Sequence, residues 1–508
     1  MDSIPLTLLS VCLAGIGLYL VQRLFVPKSP YPLPPGPKPL PLLGNLLSMP
    51  SKRVWLAYAA WGKQYGEICS ISVLGTRIVI LNSANAAIDV LEKKSAVNSN
   101  RPHLTMAGDL AGWGNSFFLQ QYGERFQQSR TMFHKLFGSP DKLRAFHPIR
   151  QQEAQRFVRD VLNVPGELAD HVRKAVGTTI LKISYGYEVQ AGKDPLIELA
   201  EKAMKQFADT LTPGTYSVDV IPILKYLPSW FPGASFQKTA RLYRQTLWDL
   251  VDIPFNMVLE QIASGTAPYS FTSSQLEGRK LLSPDEDHVI KWSALAMHTG
   301  GTDTTVSAIY AFFLAMTIHP EIQARAQTEL DSVVGTDRLP TFDDRDSLPY
   351  INAICKEVFR WNVIAPLAIP HVASQDNVHN GYLIPKGSVI LANVWQILHD
   401  EDTYPNPEVF DPTRFTGSDP QPDPRNACFG YGRRLCPGAS LADESLFIYC
   451  ATSLAALHIK KYIEDGKEVT PTLEQTDSTI CHPLSFRCNI VSRSSEAEAL
   501  IWDERGTF

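Results

Sequence analysis

Phe429-Gly430-Tyr431-Gly432-Arg433-Arg434-Leu435-Cys436-Pro437-Gly438 is the stretch on which the reading of this chain turns. Its single cysteine stands among three glycines, two arginines and a proline, so its backbone can bend tightly and its surroundings are basic. Gly430, Gly432 and Gly438 supply a backbone permissive enough for close approach to a bulky partner. Pro437 suits the first turn of a helix, and a helix N-terminus stabilises a neighbouring thiolate. An arbitrary G-x-x-x-C would be read as a buried structural cysteine in a glycine turn. Here F-x-x-G-x-R-x-C-x-G is met at every position. That set answers the needs of a thiolate ligand to a haem iron: a tight loop, tempered charge at sulfur, and a cation, Arg434, for a propionate.

Upstream, residues 283–320 predict one very long helix. Ser283 can cap it, with Pro284 at the first helical position and Glu286 closing a capping box, while Pro320 marks its end. A second membrane span is the alternative for its apolar half, but His298 and Asp303 fall inside that window and make spanning costly. Gly300-Gly301 in mid-helix costs about 1 kcal/mol per glycine relative to alanine and marks a distortion that opens space beside the helix. Asp303-Thr304-Thr305 follows, an acid and hydroxyls able to pass protons into an apolar pocket. Glu357 and Arg360, three apart in INAICKEVFRW, share a helix face.

The cysteine loop resembles the haem-binding loop of the cytochrome P450 family, and the resemblance extends over essentially the whole chain. It implies the family's fold and haem b (iron protoporphyrin IX), with Cys436 as axial ligand and Arg434 on a propionate. G-G-x-D-T-T is similar to the family's oxygen-activation motif, which places Gly301, Asp303 and Thr304 in catalysis. Glu357 and Arg360 match its E-x-x-R motif, with Arg414 of Pro412-Thr-Arg-Phe415 completing a structural triad. Tyr122–Arg130 resembles the propionate-contacting helix, except that Phe126 stands where the family has tryptophan. Arg130 is carried over as a haem contact, and Phe126 as packing without the indole donor. His371, in APLAIPH, matches another propionate position. The same resemblance points to a substrate pocket drawing on Trp113, Phe117, Phe118, Met297, His298, Val363, Ile364, Leu367 and Ile480, a lining for an apolar or aromatic ligand.

Hydrophobic residues at 44% and charged residues at 19% predict an ordinary, well-buried globular body. A net charge of -5 with no basic run excludes a nucleic-acid partner. Eight scattered cysteines without a C-x-x-C pair exclude a disulfide framework and read as reduced, mostly buried thiols apart from Cys436. Ile4–Gln22 carries no charge and is followed by Arg23 and Lys28, which predicts a transmembrane helix with the body in the cytoplasm; a cleaved signal peptide is the competing reading. The organisation expected is an anchor over 1–26, a proline-rich hinge over 27–50 acting as a stiff spacer, and a catalytic domain over 51–508. The body reads as mainly α with a minor β portion. Its β signals are a hairpin in 66–82 turning at Gly75-Thr76 and strands near Val378–Leu383 and Ser388–Leu391; a helix follows at Ala84–Lys94 and a last long one just after Pro437.

The expected function is insertion of one oxygen atom, by hydroxylation or epoxidation, into a small apolar or aromatic metabolite. Oxygen comes from O2 and electrons from NADPH through a separate NADPH–cytochrome P450 reductase, at the endoplasmic reticulum membrane. LPSWFPGASF and RWNVIAPLAIPH look most like fungal secondary-metabolism members of the family, whose substrates include indolic amines, terpenoids and polyketides. The main rival is a haem-thiolate isomerase or dehydratase needing no electron input, against which Asp303-Thr304 argues. A haem sensor or electron carrier would need a second axial ligand, for which His298 is the residue to watch. A non-haem interaction protein would leave the cysteine loop unexplained.

Overall fold

The computed structural model describes residues 29–190, 192–211, 214–278 and 282–503. The expected anchor and the first residues of the hinge lie outside them. The described residues form two compact units, one within 29–99 and 370–393, the other within 100–369 and 394–503.

The first unit is built on a four-stranded sheet. Ile68–Val73 and Thr76–Leu81 form the expected hairpin, turning through Leu74 and Gly75 with φ of 48° and 86°. Two consecutive positive φ values give a turn whose twist matches that of the strands. Thr76–Leu81 then pairs in parallel with Val389–Ala392, which pairs antiparallel with His371–Val372. The strand expected near Val378–Leu383 is instead a small hairpin, Asn377–His379 with Tyr382–Ile384, because Asn380-Gly381 takes positive φ and reverses the chain. Ala84–Lys94 is helical, but only Ala84–Ala87 is α-helix, and Ile88–Lys93 winds wider with π-type hydrogen bonds.

Over residues 32–45 the proline-rich segment, read from sequence as a stiff spacer, is hydrogen-bonded to this unit. The Pro34 and Pro35 carbonyls accept hydrogen bonds from Ser70 Oγ and N at 2.7 and 2.8 Å, and Asn45 Oδ1 accepts from Ser72 N at 2.9 Å. Proline lacks a donor but keeps its carbonyl, so a proline-rich strand can still dock as an acceptor.

The second unit is mainly helical and packs around Pro284–Ile318, the long helix, which is capped as expected by the reciprocal Ser283–Glu286 box. Leu168–Tyr185 packs along it most extensively, and Ala439–Ala456, Glu124–Phe137 and Phe236–Ser264 pack on other faces. Such a helix is apolar on all sides because it has neighbours on all sides. It ends at Ile318, where Pro320 opens the next helix, Pro320–Val333, after a bend of 106°. Among the described residues, no single helix is long and apolar enough to cross a membrane. A three-stranded antiparallel sheet, Lys467–Val469 with Leu457–Glu464 with Cys488–Ser492, completes the minor β portion.

Candidate active site

Cys436 sits in a turn held by its own backbone: its N–H donates to the Phe429 carbonyl at 2.8 Å. Gly430 and Gly432 take φ of 82° and 55°, which a side chain resists, so these two glycines are required by the turn. Gly438 is different. Its φ is -94°, and nothing in the chain lies within 4 Å of where a Cβ would project. The last long helix begins at Ala439 with Gly438 as its N-cap, just after Pro437 as the sequence implies, so Pro437 itself lies outside the first turn it was read to suit. Cys436 is half-buried. Burial pushes its thiol pKa up, while a hydrogen bond from the Gly438 backbone and the Arg130 charge draw it down.

Three guanidinium groups gather near this loop. Arg434 is buried, donates to the Gln120 carbonyl at 2.6 Å and lies 3.9 Å from the centroid of the Phe126 ring. Arg130 donates to the Leu435 carbonyl at 2.6 Å. Arg101, which the sequence reading passed over, is buried and donates to the Phe118 and Ile369 carbonyls at 2.9 and 2.7 Å. Burial lowers the pKa of all three, and Arg434 is further depressed by Arg130, and Arg101 by Arg434, placing Arg434 at about 10. Two buried guanidinium groups and a half-buried third, close enough to depress one another, make a site for an anion with more than one charge. A thiol loop with open space at Gly438, beside that set, fits haem b with its two propionates. Only local sequence was available to flag Arg101, and a lone arginine before Pro102 carries no signal by itself.

Phe126 is fully buried and stacked on Phe117 at 4.7 Å. The aromatic ring at the family's tryptophan position therefore does more than pack, since it also carries Arg434. His371 belongs to the first unit, where its Nδ1 pairs with the Asn98 carbonyl at 2.7 Å.

On the long helix, residues from Trp292 to Thr299 and from Thr305 to Thr317 are buried, but Gly300–Thr304 is half-exposed throughout. The helix is not broken by its glycine pair. Instead the pair admits neighbours: a Cβ on Gly300 would lie 3.2 Å from the Phe118 ring, and one on Gly301 3.1 Å from Ile180. Thr304 Oγ1 donates to the Gly300 carbonyl at 2.8 Å. Asp303 is 41% exposed and lies 3.0 Å from His482 Nε2, a partner the sequence did not announce because 179 positions separate them (482 − 303).

His298 is buried on the helix face that carries Gly301, edge-on to Tyr185 with centroids 6.2 Å apart. Burial lowers its pKa to about 4, and Asp194 raises it only partly back. Of the other expected pocket residues, Met297 and Trp113 are buried in the core, Trp113 against Phe207 at 4.3 Å. Ile364, Leu367 and Ile480 are half-buried, and Ile364 and Ile480 are drawn close by the hydrogen bond from Cys481 N to the Ile364 carbonyl at 2.7 Å.

Glu357, Arg360 and Arg414 come together in one buried cluster. Arg360 donates to both Glu357 oxygens at 2.7 and 2.8 Å, and Arg414 Nε lies 3.5 Å from Glu357 Oε1. Both arginines also hold backbone carbonyls of the 398–409 coil, Leu398 and Val409 by Arg360 and Pro405 and Asn406 by Arg414. This cluster braces the coil leading into the cysteine loop. Among the described residues all seven cysteines are free, in keeping with reduced thiols.

The family described as cytochrome P450 matches residues 34–488. Cytochrome P450 monooxygenase 208 of Postia placenta is 45% identical over 96% of this chain and 96% of its own length. Cytochrome P450 monooxygenase claR of Ampulloclitocybe clavipes is 42% identical over 97% of this chain and 92% of its own. Tryptamine 4-monooxygenase of Psilocybe cyanescens is 40% identical over 96% and 98%.

Proposed function

The chain belongs to the cytochrome P450 family and is a haem-thiolate monooxygenase, and from that premise we propose that it inserts one oxygen atom into a small apolar or aromatic metabolite of fungal secondary metabolism. Its cofactor is haem b, which when bound at Cys436 supplies the oxygen-activating chemistry. Arg101, Arg130 and Arg434 would hold its propionates, and the Gly438 N–H would temper the charge of a Cys436 thiolate. The reading rests on the half-exposed Gly300–Thr304 stretch in the midst of a buried helix, where an acid and a hydroxyl stand next to each other.

There Asp303 takes protons from solvent at its exposed carboxylate and passes them inward, and Thr304 holds a proton at Oγ1. Thr304 donates that proton to the Gly300 carbonyl, and its oxygen still accepts a further hydrogen bond. Protons reach the pocket by this route. Electrons come from NADPH through NADPH–cytochrome P450 reductase, and a membrane anchor in residues 1–26 holds the body at the cytoplasmic face of the endoplasmic reticulum. The relative that acts on tryptamine makes indolic amines the first substrates to try, with terpenoids and polyketides next.

The test is to couple the holoenzyme to reductase, supply a fungal metabolite extract and look for NADPH-dependent mass gains of one oxygen. With the substrate found, Thr304→Ala should release several-fold more peroxide per NADPH, and Asp303→Asn should slow turnover. Products formed without NADPH would instead favour the isomerase or dehydratase reading.

A further inference from the structure

The turn Thr476–His482 reaches the long helix from the far end of the chain and is tied to it. Ser307 Oγ donates to the Cys481 carbonyl at 2.7 Å, and Asn362 Nδ2 donates to Ser307 Oγ at 3.1 Å. Gln475 Nε2 in turn donates to Asn362 Oδ1 at 2.7 Å. The turn is closed on itself: Thr476 N donates to the His482 carbonyl at 2.9 Å, and His482 N donates to Thr476 Oγ1 at 3.0 Å. Ser307 and Asp303 are four residues apart, so they lie one above the other on a single helix face. Anchoring Cys481 at Ser307 therefore delivers the next side chain, His482, one turn down the helix, where its Nε2 meets Asp303 Oδ1 at 3.0 Å.

We infer that His482 is a positioning residue for proton delivery, holding the Asp303 carboxylate in one orientation with one oxygen committed to the imidazole and the other open to water. The inference rests on the role given to Asp303 above and adds what sets its geometry. A carboxylate that is 41% exposed has several rotamers open to it, and a fixed partner selects one of them. His482 is only 24% exposed and its backbone is bonded on both sides, so it is the better-held member of the pair. The same turn carries Ile480, expected at the substrate pocket, so a substrate that displaces the turn would also move the imidazole.

The experiment compares His482→Ala, His482→Gln, Asp303→Asn and wild type as holoenzymes with excess reductase. No substrate is needed: NADPH oxidation and its deuterium-oxide isotope effect are read directly, with the carbon monoxide spectrum as a check on the haem. His482→Ala should lower the rate about three- to tenfold and raise the isotope effect, as Asp303→Asn does. His482→Gln, whose amide nitrogen reaches the Nε2 position, should stay within about twofold of wild type. Independently of turnover, the imidazole nitrogen-15 signal lost in His482→Gln should shift in Asp303→Asn. If Asp303→Asn is slow while His482→Ala matches wild type, or the nitrogen-15 signal ignores Asp303, the positioning role is overturned. If Asp303→Asn itself matches wild type, it is the role of Asp303 that fails.

Discussion

The Arg434 guanidinium lies over the Phe126 ring at 3.9 Å from its centroid, so the position where the family carries tryptophan supports one of the three cations proposed to hold the haem. Phe126→Leu removes the ring and keeps the volume roughly filled, at a cost of about 0.5–2 kcal/mol in the cation–π contact. Haem should then be lost several-fold faster to an apoprotein acceptor. Phe126→Trp keeps a ring and adds a donor, so it should hold haem at least as well as wild type. Equal loss rates for all three proteins would reduce Phe126 to packing.

Cys436→Ser should abolish the red-shifted absorbance band of the reduced, carbon monoxide-bound protein, because an alcohol at that position does not give thiolate ligation. The turn itself should survive, since its glycine dihedrals and the Cys436 N to Phe429 carbonyl bond do not depend on sulfur. Persistence of the band would show that another residue is the ligand.

Glu357→Gln leaves Arg360 buried with its charge uncompensated. The expected destabilisation is about 3–5 kcal/mol, read as a lower urea midpoint at unchanged slope. The pull of Arg360 and Arg414 on the 398–409 coil implies that haem incorporation falls with it. A variant as stable as wild type would mean the triad is not under the strain of burial.

His298 remains neutral in the fold down to about pH 4, whereas the unfolded chain protonates it near 6.5. Its folded pKa is the lower one, so the unfolded state binds the extra proton and stability falls as pH drops from about 6.5 toward 4. At pH 5 this amounts to about 2 kcal/mol for His298 alone. His298→Gln should therefore lose less stability than wild type between pH 7 and pH 5. Buried His399, held neutral to about 3 by burial and Arg360, adds an acid sensitivity that this variant keeps. Parallel pH profiles for the two proteins would show that His298 titrates normally.

Deleting residues 1–28 should release the protein from membranes while leaving haem incorporation intact, because Cys436, the three arginines and the triad all lie far along the chain. Sedimentation of the truncated protein in high salt, followed by its carbon monoxide spectrum, checks both halves of this expectation.

The local parts of this protein were legible in its sequence. The Ser283–Glu286 box, the hairpin turning beside Gly75 and the backbone-permissive loop around Cys436 are set by residues within a few positions of one another. Dihedral preferences and capping act at that range, so they can be read directly from residue order. Glu357 with Arg360 was legible for the same reason, since one helical turn joins them. The last long helix starts just after Pro437, as its sequence implies, although Pro437 itself stands two residues ahead of Ala439 and outside the first turn.

What only the tertiary structure decided is whatever depends on elements distant in sequence meeting in space. The single long helix over 283–320 was legible, but not what occupies the space beside Gly300-Gly301: Phe118 and Ile180 pack against the pair. Proline content announced a stiff segment over 32–45, but not its partners: the Pro34 and Pro35 carbonyls accept from Ser70. Arg101 joined Arg130 and Arg434, and His482 met Asp303, with no local pattern to announce either meeting. A side chain's partner is chosen by close packing over the whole unit, and burial then fixes its charge. Composition and spacing determine that a thiolate, an acid and a hydroxyl are present, while packing determines which groups hold them in place.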